Sequence, residues 1–486
     1  MLYLEGPLGS GKTSRLLEET ARLLEQYPAS SILVLCSNHA RQQAFIEKLL
    51  TSRQTPLAQL PVYTYAGFVR NTLFNYWPLV EQEIVNTLKK GAPRIRPELS
   101  GLEDTELMLK WLLARLRRDA AQQGQLVFDN FPGNDQHILK QIVRRLRLRS
   151  ENQLTRKDMQ ERSILLQEMC GPEVAWLEKQ FDIESYTLRV LDPNKQLDIF
   201  NSLLKKENAM SQWLQTEIKH LVVDDVDETI VAQQRLIEFL APSLDTLILA
   251  ADVDGGSRRG YLNAYPYDWH ALKAMRPGET VVLERLDESY AAAQTLLANW
   301  KAEQGFQPLP PMVQLNDSFI TRVEMLEQVV EDILALLESG YNAGDFCLVL
   351  PRTDFLSFYQ LQNRFNQRGI PVQLLSGTKR PSDNPKCKAF ISLLQWANAR
   401  SWKSYPSRWE IKTILMQVLQ FHYLPELSGE SLDVLSQAVF DWLNTQPDGF
   451  YQLPPIETLP FDLSNAALSR YRTLSDWLQK APGLAF

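Results

Sequence analysis

Cysteine is scarce: Cys36, Cys170, Cys347 and Cys387 are the four in 486 residues, with no Cys-x-x-Cys pair among them. That spacing excludes a zinc ribbon and a disulfide framework, and it predicts a reducing, cytoplasmic setting. The histidines, His39, His137, His220, His270 and His422, show no metal-ligand spacing. No apolar run approaches the roughly 18 to 20 residues that span a bilayer, and Met1–Gly6 lacks the basic region and long apolar stretch of a signal peptide. A soluble protein, neither exported nor membrane-embedded, is expected. Basic charge is not in excess: 51 Lys and Arg against 58 Asp and Glu leave a net charge of −7, which excludes a polycation that binds by bulk charge. Any contact with a polyanion has to be local. Internal repeats and low-complexity tracts are lacking too. What is present, 44% hydrophobic, 10% aromatic and 22% charged residues, fits a folded globular chain. At ~150 residues per domain the length suggests about three domains.

Near the start, Gly6-Pro7-Leu8-Gly9-Ser10-Gly11-Lys12-Thr13 fits Gly-x-x-x-x-Gly-Lys-[Ser/Thr], a phosphate-binding loop. A strand-like run, Leu2–Glu5, precedes it, and Leu16, Leu17, Thr20, Leu23 and Leu24 follow at helical spacing. Small residues let backbone N–H groups curl around a polyphosphate, and the helix start aims its positive end at the same anion. Lys12 is expected to reach the β and γ phosphates of ATP, and Thr13 to ligate Mg²⁺. Gly6, Gly9, Ser10, Gly11 and Arg15 complete the expected nucleotide-binding set. The alternative, a glycine-rich turn without nucleotide, has no need of those flanks. Ser31–Cys36 then reads as a buried parallel strand that closes a βαβ unit, predicting an α/β fold built on a parallel sheet.

Such a loop needs an acidic partner at the end of another buried strand. His220–Val223 is strand-like and runs into Asp224-Asp225-Val226-Asp227-Glu228, with a helical pattern at Val231, Leu236, Ile237 and Leu240 beyond. Asp224 is the expected Mg²⁺ carboxylate, and Asp225 is placed to orient or deprotonate the attacking water. An acidic cap on the following helix is the alternative. A third strand, Thr246–Ala250, leads to Asp252 and Asp254. Strand endings at 5, 36, 224 and 250 are expected to meet at one sheet edge, where α/β proteins bind ligands.

With these motifs in hand, the sequence resembles the UvrD/Rep group of superfamily 1 DNA helicases and their relatives in helicase-nuclease complexes. Gly6–Thr13 is similar to motif I, Ser37-Asn38-His39-Ala40 to motif Ia, and Thr64-Tyr65-Ala66-Gly67-Phe68 to motif Ib. Asp224–Thr229 with Ala232-Gln233 resembles motif II, and Ala251–Asp254 resembles motif III. Glu324, the helical run 329–337, the strand-like run 345–350, Arg352-Thr353 and Gly369–Val372 resemble the start of the family's second motor domain. The resemblance implies a first RecA-like domain (1–95 and 216–290) with a helical insert (96–215). Part of a second RecA-like domain (291–400) and a mostly helical segment belonging to a second insert (401–486) would follow.

The departures carry implications of their own. The family's adenine-reading glutamine motif normally lies upstream of motif I, whereas five residues precede Gly6 here, a start that resembles that of AddB-type subunits. Asp225 stands where the family has glutamate, Gly255 where it has the motif III glutamine, and Ala291 where it has a phosphate-contacting arginine. Loss of such an arginine typically slows hydrolysis by about three to five orders of magnitude. A slow or degenerate motor is implied, with Arg285 and Arg352 as stand-ins to be weighed against ordinary surface arginines. Motifs V and VI are not found before Phe486, so the sequence is expected to be part of a longer protein or to need a partner that finishes the site.

For DNA, the tract 140–157 holds seven cations (Lys140, Arg144, Arg145, Arg147, Arg149, Arg156, Lys157) against Glu151 alone, 7 − 1 = +6. Arg144, Arg145, Arg147 and Arg149 are candidates for tracking phosphates along a helix, a solvated helix face pairing with acidic neighbours being the equal alternative. Ser37, Asn38 and Thr64 are candidate strand contacts by motif position, and Tyr65 and Tyr261 candidate stacking platforms; Phe68 reads as core. The expected function is an ATP- and Mg²⁺-dependent DNA helicase or translocase in repair or recombination, moving single-stranded DNA across its motor domains. A nuclease or helicase subunit is a candidate partner, and a degenerate DNA-binding scaffold of a helicase-nuclease is the alternative.

Overall fold

A computed structural model describes residues 1–51, 61–88, 96–128, 131, 133–252, 255, 263–264, 269–285, 288–301, 308, 310–311, 313–316, 318–350, 355–374, 384–398, 406–421, 424, 427, 430–446 and 452–481. They fall into two compact units, 1–285 with 381–486, and 286–380.

The first unit is organised by a six-stranded parallel sheet. In chain order its strands are β1 (Leu2–Gly6), β2 (Ile32–Cys36), β3 (Val62–Thr64), β6 (His220–Val223), β7 (Thr246–Asp252) and β8 (Glu279–Val282). β4 (Glu98–Leu99) and β5 (Val190–Leu191) form a small parallel pair elsewhere. The spatial order is β3-β2-β6-β7-β1-β8, so β6 and β7, which come from late in the chain, lie between β1 and β2. Every residue of β2 and β6 is buried, as expected for strands covered on both faces.

Alternation sorts their side chains. Leu4, Ile32, Val34, Val222 and Ile248 pack with Leu16 and Leu23 of the helix Lys12–Gln26. Tyr3, Leu33, Leu35, Leu221, Val223 and Leu249 pack on the opposite side with Phe68, Phe200 and Leu236. Parallel pairing with Gly6 opposite Asp252, Cys36 opposite Thr64, and Val223 opposite both Leu35 and Leu249 brings the strand ends to one edge, as the sequence leads one to expect.

Among the described residues, helices of the expected insert share a core with helices from near the end of the chain. Leu107, Leu112, Ile142, Leu146, Leu177 and Phe181 from the expected insert pack with Trp396, Trp409, Ile414, Leu435, Val439 and Tyr471 from near the end of the chain. The helix Pro385–Ala397, expected within the 291–400 segment, belongs to this same core. Periodicity identifies an apolar face but not the element that covers it; here the late helices are covered by helices of the expected insert.

In the second unit the helices Arg322–Glu338 and Phe355–Asn366 pack through Leu326, Val330, Leu334, Leu361 and Phe365. Residues 345–350, expected as a strand, form no ladder with any described residue. None of the described helices is long and apolar enough to cross a membrane.

Candidate nucleotide site

The loop after β1 turns through Ser10 N donating to Pro7 O at 3.1 Å, and the helix starts at Lys12. Gly9 and Gly11 have φ of 83° and 91°, the left-handed region that glycine enters without a Cβ penalty. Around Gly11 a Cβ would meet nothing within 4 Å, so its surroundings are open. Ser10 Oγ is buried with no hydrogen-bond partner among the described residues. An open glycine turn, an orphaned hydroxyl and a helix N-terminus form a donor set suited to phosphate oxygens. Lys12 is 7% exposed and its Nζ donates to the loop's own carbonyls, Gly6 O at 2.5 Å and Pro7 O at 2.8 Å, while lying 3.7 Å from Asp252 Oδ2.

Across 211 residues of sequence, the Thr13 hydroxyl donates to Asp224 Oδ2 at 3.0 Å. The two groups expected to share Mg²⁺ are therefore neighbours, and the hard oxygen donors of hydroxyl and carboxylate suit that cation. Asp224 is 2% exposed; burial, then the adjacent Asp225 charge, pushes its carboxyl above the ordinary range against the pull of the Thr13 hydrogen bond and Arg41. A bound cation opposes exactly that penalty. Asp225 sits at φ 51°, a left-handed conformation that Asp tolerates better than most residues. Its Oδ2 accepts from Ser37 Oγ at 2.6 Å and lies 3.8 Å from Arg41 Nε. Ser37, expected at the nucleic acid, is thus joined to the water-orienting candidate. Arg41 was not singled out in the sequence; its position four residues after Ser37, on the helix His39–Thr51, was the available signal.

Asp227 anchors the next strand end, its Oδ1 accepting from Asp252 N at 2.8 Å, and burial pushes its carboxyl up to about 6. A Cβ on Gly255 would overlap that carboxylate, which gives a steric reason for glycine at this position. Arg285, just past β8, reaches back over the loop: its Nη1 donates to Leu8 O at 2.7 Å, and its guanidinium fills the space a Cβ on Gly9 would need.

Several expected site residues serve elsewhere. Arg15, half-exposed, pairs with Glu18 at 3.1 Å and Glu19 at 2.8 Å on its own helix, one turn away. Asn38 Oδ1 accepts from Arg41 N at 2.9 Å, and Thr64 Oγ1 accepts from Gly67 N at 3.1 Å, so both cap helices. Tyr65 is buried with its hydroxyl donating to Ala232 O at 2.9 Å, which leaves no face for a base. Phe68 is core, as expected. Arg145 is buried against Glu178 at 2.8 Å, and Arg149 against Asp182 at 3.1 Å and Asp198 at 3.5 Å. These two are buried ion-pair partners within the insert. Arg147 pairs with Glu151 at 2.8 Å; Arg144 and Lys140 are exposed. Tyr261 and Arg352 lie outside the described residues.

With the site described, comparison with known proteins adds one match. The family model for the UvrD/REP helicase N-terminal domain matches residues 2–255. No curated protein matches the chain.

Proposed function

The chain belongs to the UvrD/REP helicase family, and from that premise we propose that it binds ATP with Mg²⁺ at Lys12, Thr13 and Asp224 and uses its hydrolysis to move along single-stranded DNA in repair or recombination. The cytoplasm is the proposed setting, and a nuclease or second helicase subunit the proposed partner. One observation carries the reading: the Thr13 hydroxyl and the Asp224 carboxylate, from distant parts of the sequence, touch beside the glycine loop.

Bound ATP·Mg²⁺ would supply the phosphoanhydride bond and the charge that neutralises these carboxylates. The chain's own residues do the rest. Lys12 would exchange the carbonyls of Gly6 and Pro7 for phosphate oxygens; Gly9 and Gly11 would offer backbone N–H groups and Ser10 its unpartnered hydroxyl; Asp224 and Thr13 would hold the cation. Asp225 orients the attacking water, and its bond to Ser37 ties that role to the segment after β2. Arg285 fills the place of the missing family arginine, since its guanidinium already lies against the loop.

A second reading, a DNA-binding scaffold with little turnover, draws support from Asp225 itself, whose carboxylate is engaged by Ser37 and flanked by Arg41. Steady-state ATP hydrolysis with and without single-stranded DNA, in the wild type and in Lys12→Ala, separates the two. Stimulation lost in Lys12→Ala is the expected result; no turnover in either protein favours the scaffold; turnover indifferent to DNA contradicts both.

A further inference from the structure

A cavity of about 570 Å³ opens between the helix Leu102–Gln122 and the helices Pro385–Ala397 and Arg408–Gln417, in the helical core and apart from the glycine loop. Its floor is apolar: Leu107, Trp111, Met416 and Leu432 line it, each at least nine-tenths covered. Its wall is cationic. Lys110, Arg115, Arg118 and Lys386 line it, and no carboxylate does among the described residues. Asp119 partly offsets Arg115 and Arg118, at 4.0 and 3.4 Å, and Glu184 lies 3.3 Å from Arg115, but neither acid faces the cavity. Lys110 and Lys386 are exposed. The helix that begins at Pro385, capped by Asn384 accepting from Lys386 N at 2.9 Å, adds its positive end to the same wall.

The state of Trp111 decides which anion fits. The Lys412 ammonium lies 3.6 Å from the ring centroid and the Arg115 guanidinium 5.8 Å from it, so cations already occupy the π system. A nucleobase held by stacking needs a free aromatic face, and the remaining floor is aliphatic or thioether. Carboxylates over an aliphatic socket satisfy both halves of the site, with the cations of the wall setting the charge of the partner.

We propose that this cavity docks an acidic peptide segment of a partner protein, its carboxylates against Lys110, Arg115, Arg118 and Lys386 and one apolar side chain on the floor. The site is separate from the nucleotide loop, and the proposal does not depend on ATP turnover.

Fluorescence anisotropy on the full chain tests it. The probes are a fluorescein-labelled peptide of four aspartates followed by two leucines, versions with serine replacing the aspartates or the leucines, and a labelled oligothymidylate. The aspartate-leucine peptide is expected to bind, and to lose at least tenfold in affinity in either serine version and in Lys110→Glu/Lys386→Glu. Because both lysines are exposed, that variant is expected to keep its ATP affinity, which checks the fold. A peptide with lysines for aspartates is expected to bind the variant better than the wild type. Failure of the aspartate-leucine peptide to bind the wild type, or unchanged affinity in the variant, overturns the proposal. So does displacement of the peptide by oligothymidylate whose own affinity falls in the variant, since that result makes the cavity a nucleic-acid site.

Discussion

Replacing Asp182 by Asn removes one carboxylate from a buried ionic cluster in the helical insert. Asp182 Oδ1 accepts from Lys195 Nζ at 2.6 Å and Arg149 Nη2 at 3.1 Å, while Oδ2 accepts from Arg156 at 2.5 Å. The Lys195 and Arg149 side chains are only 2% and 8% exposed. Burial alone would lower both of their pKa values, but the facing carboxylates of Asp182 and Asp198 more than offset it. Breaking a buried pair by removing one partner costs about 3–5 kcal/mol. Asp198 remains, 2.8 Å from Lys195 and 3.5 Å from Arg149, so the lower end of that range is expected.

At 1.4 kcal/mol per decade, ~3 kcal/mol corresponds to roughly hundredfold faster amide exchange where reclosing outpaces exchange and the rate follows the opening equilibrium. Hydrogen exchange read by mass spectrometry over the helices Asp135–Glu151 and Pro193–Leu204 is the assay. Arg156→Gln, on a side chain 49% exposed, is expected to cost less than ~1 kcal/mol. Exchange unchanged in Asp182→Asn, or an equal effect from Arg156→Gln, would refute the reasoning.

The same cluster sets an acid limit: burial would raise the Asp182 carboxyl, but Lys195 and Arg149 hold it well below its ordinary value of 3.8. Its stabilisation is therefore complete above that unfolded value and lost as pH falls below it, so the protection of these helices is expected to drop in that window in the wild type and much less in Asp182→Asn. Tyr65→Phe removes only the buried hydroxyl bond to Ala232 O; a stability loss of about 1 kcal/mol in urea titration is expected, with DNA affinity unchanged. Gly255→Gln drives a side chain into the Asp227 carboxylate and is expected to cost about 1–3 kcal/mol by the same titration. Arg285→Ala leaves the strand and loop intact but removes the guanidinium beside Leu8; at least tenfold slower DNA-stimulated ATP hydrolysis is expected, and unchanged kcat would show that Arg285 only covers the loop.

The sheet and the glycine loop were legible because their signals are local. Continuous apolar runs at 32–36 and 220–223, and the spacing of Gly6, Gly11 and Lys12, each carry their meaning within a few residues. Asp224 could be matched to Thr13 because a phosphate loop demands an acid at a strand end, a long-range rule with a short-range signature. What was less legible needed partners that no local pattern names. Arg145 and Arg149 read as an exposed basic face until Glu178 and Asp182, each 33 residues further on, neutralise them in the interior. Tyr65 read as a stacking platform because its motif position says nothing of the Ala232 carbonyl 167 residues away. The helices near the end of the chain showed their apolar faces clearly, yet only the fold reveals that the insert covers them. Arg285 shows no motif; β8 pairing with β1 is what carries it over the loop.

The most direct measurement is calorimetric titration with a slowly hydrolysed ATP analogue and Mg²⁺, made on the wild type, Thr13→Ala, Asp224→Asn and the double variant. If the two side chains hold one cation, each single change lowers affinity at least tenfold, the double variant binds little worse than the weaker single, and chelating Mg²⁺ erases the differences. Affinities indifferent to both substitutions, or losses that simply add, would contradict a shared ATP·Mg²⁺ site at Thr13 and Asp224.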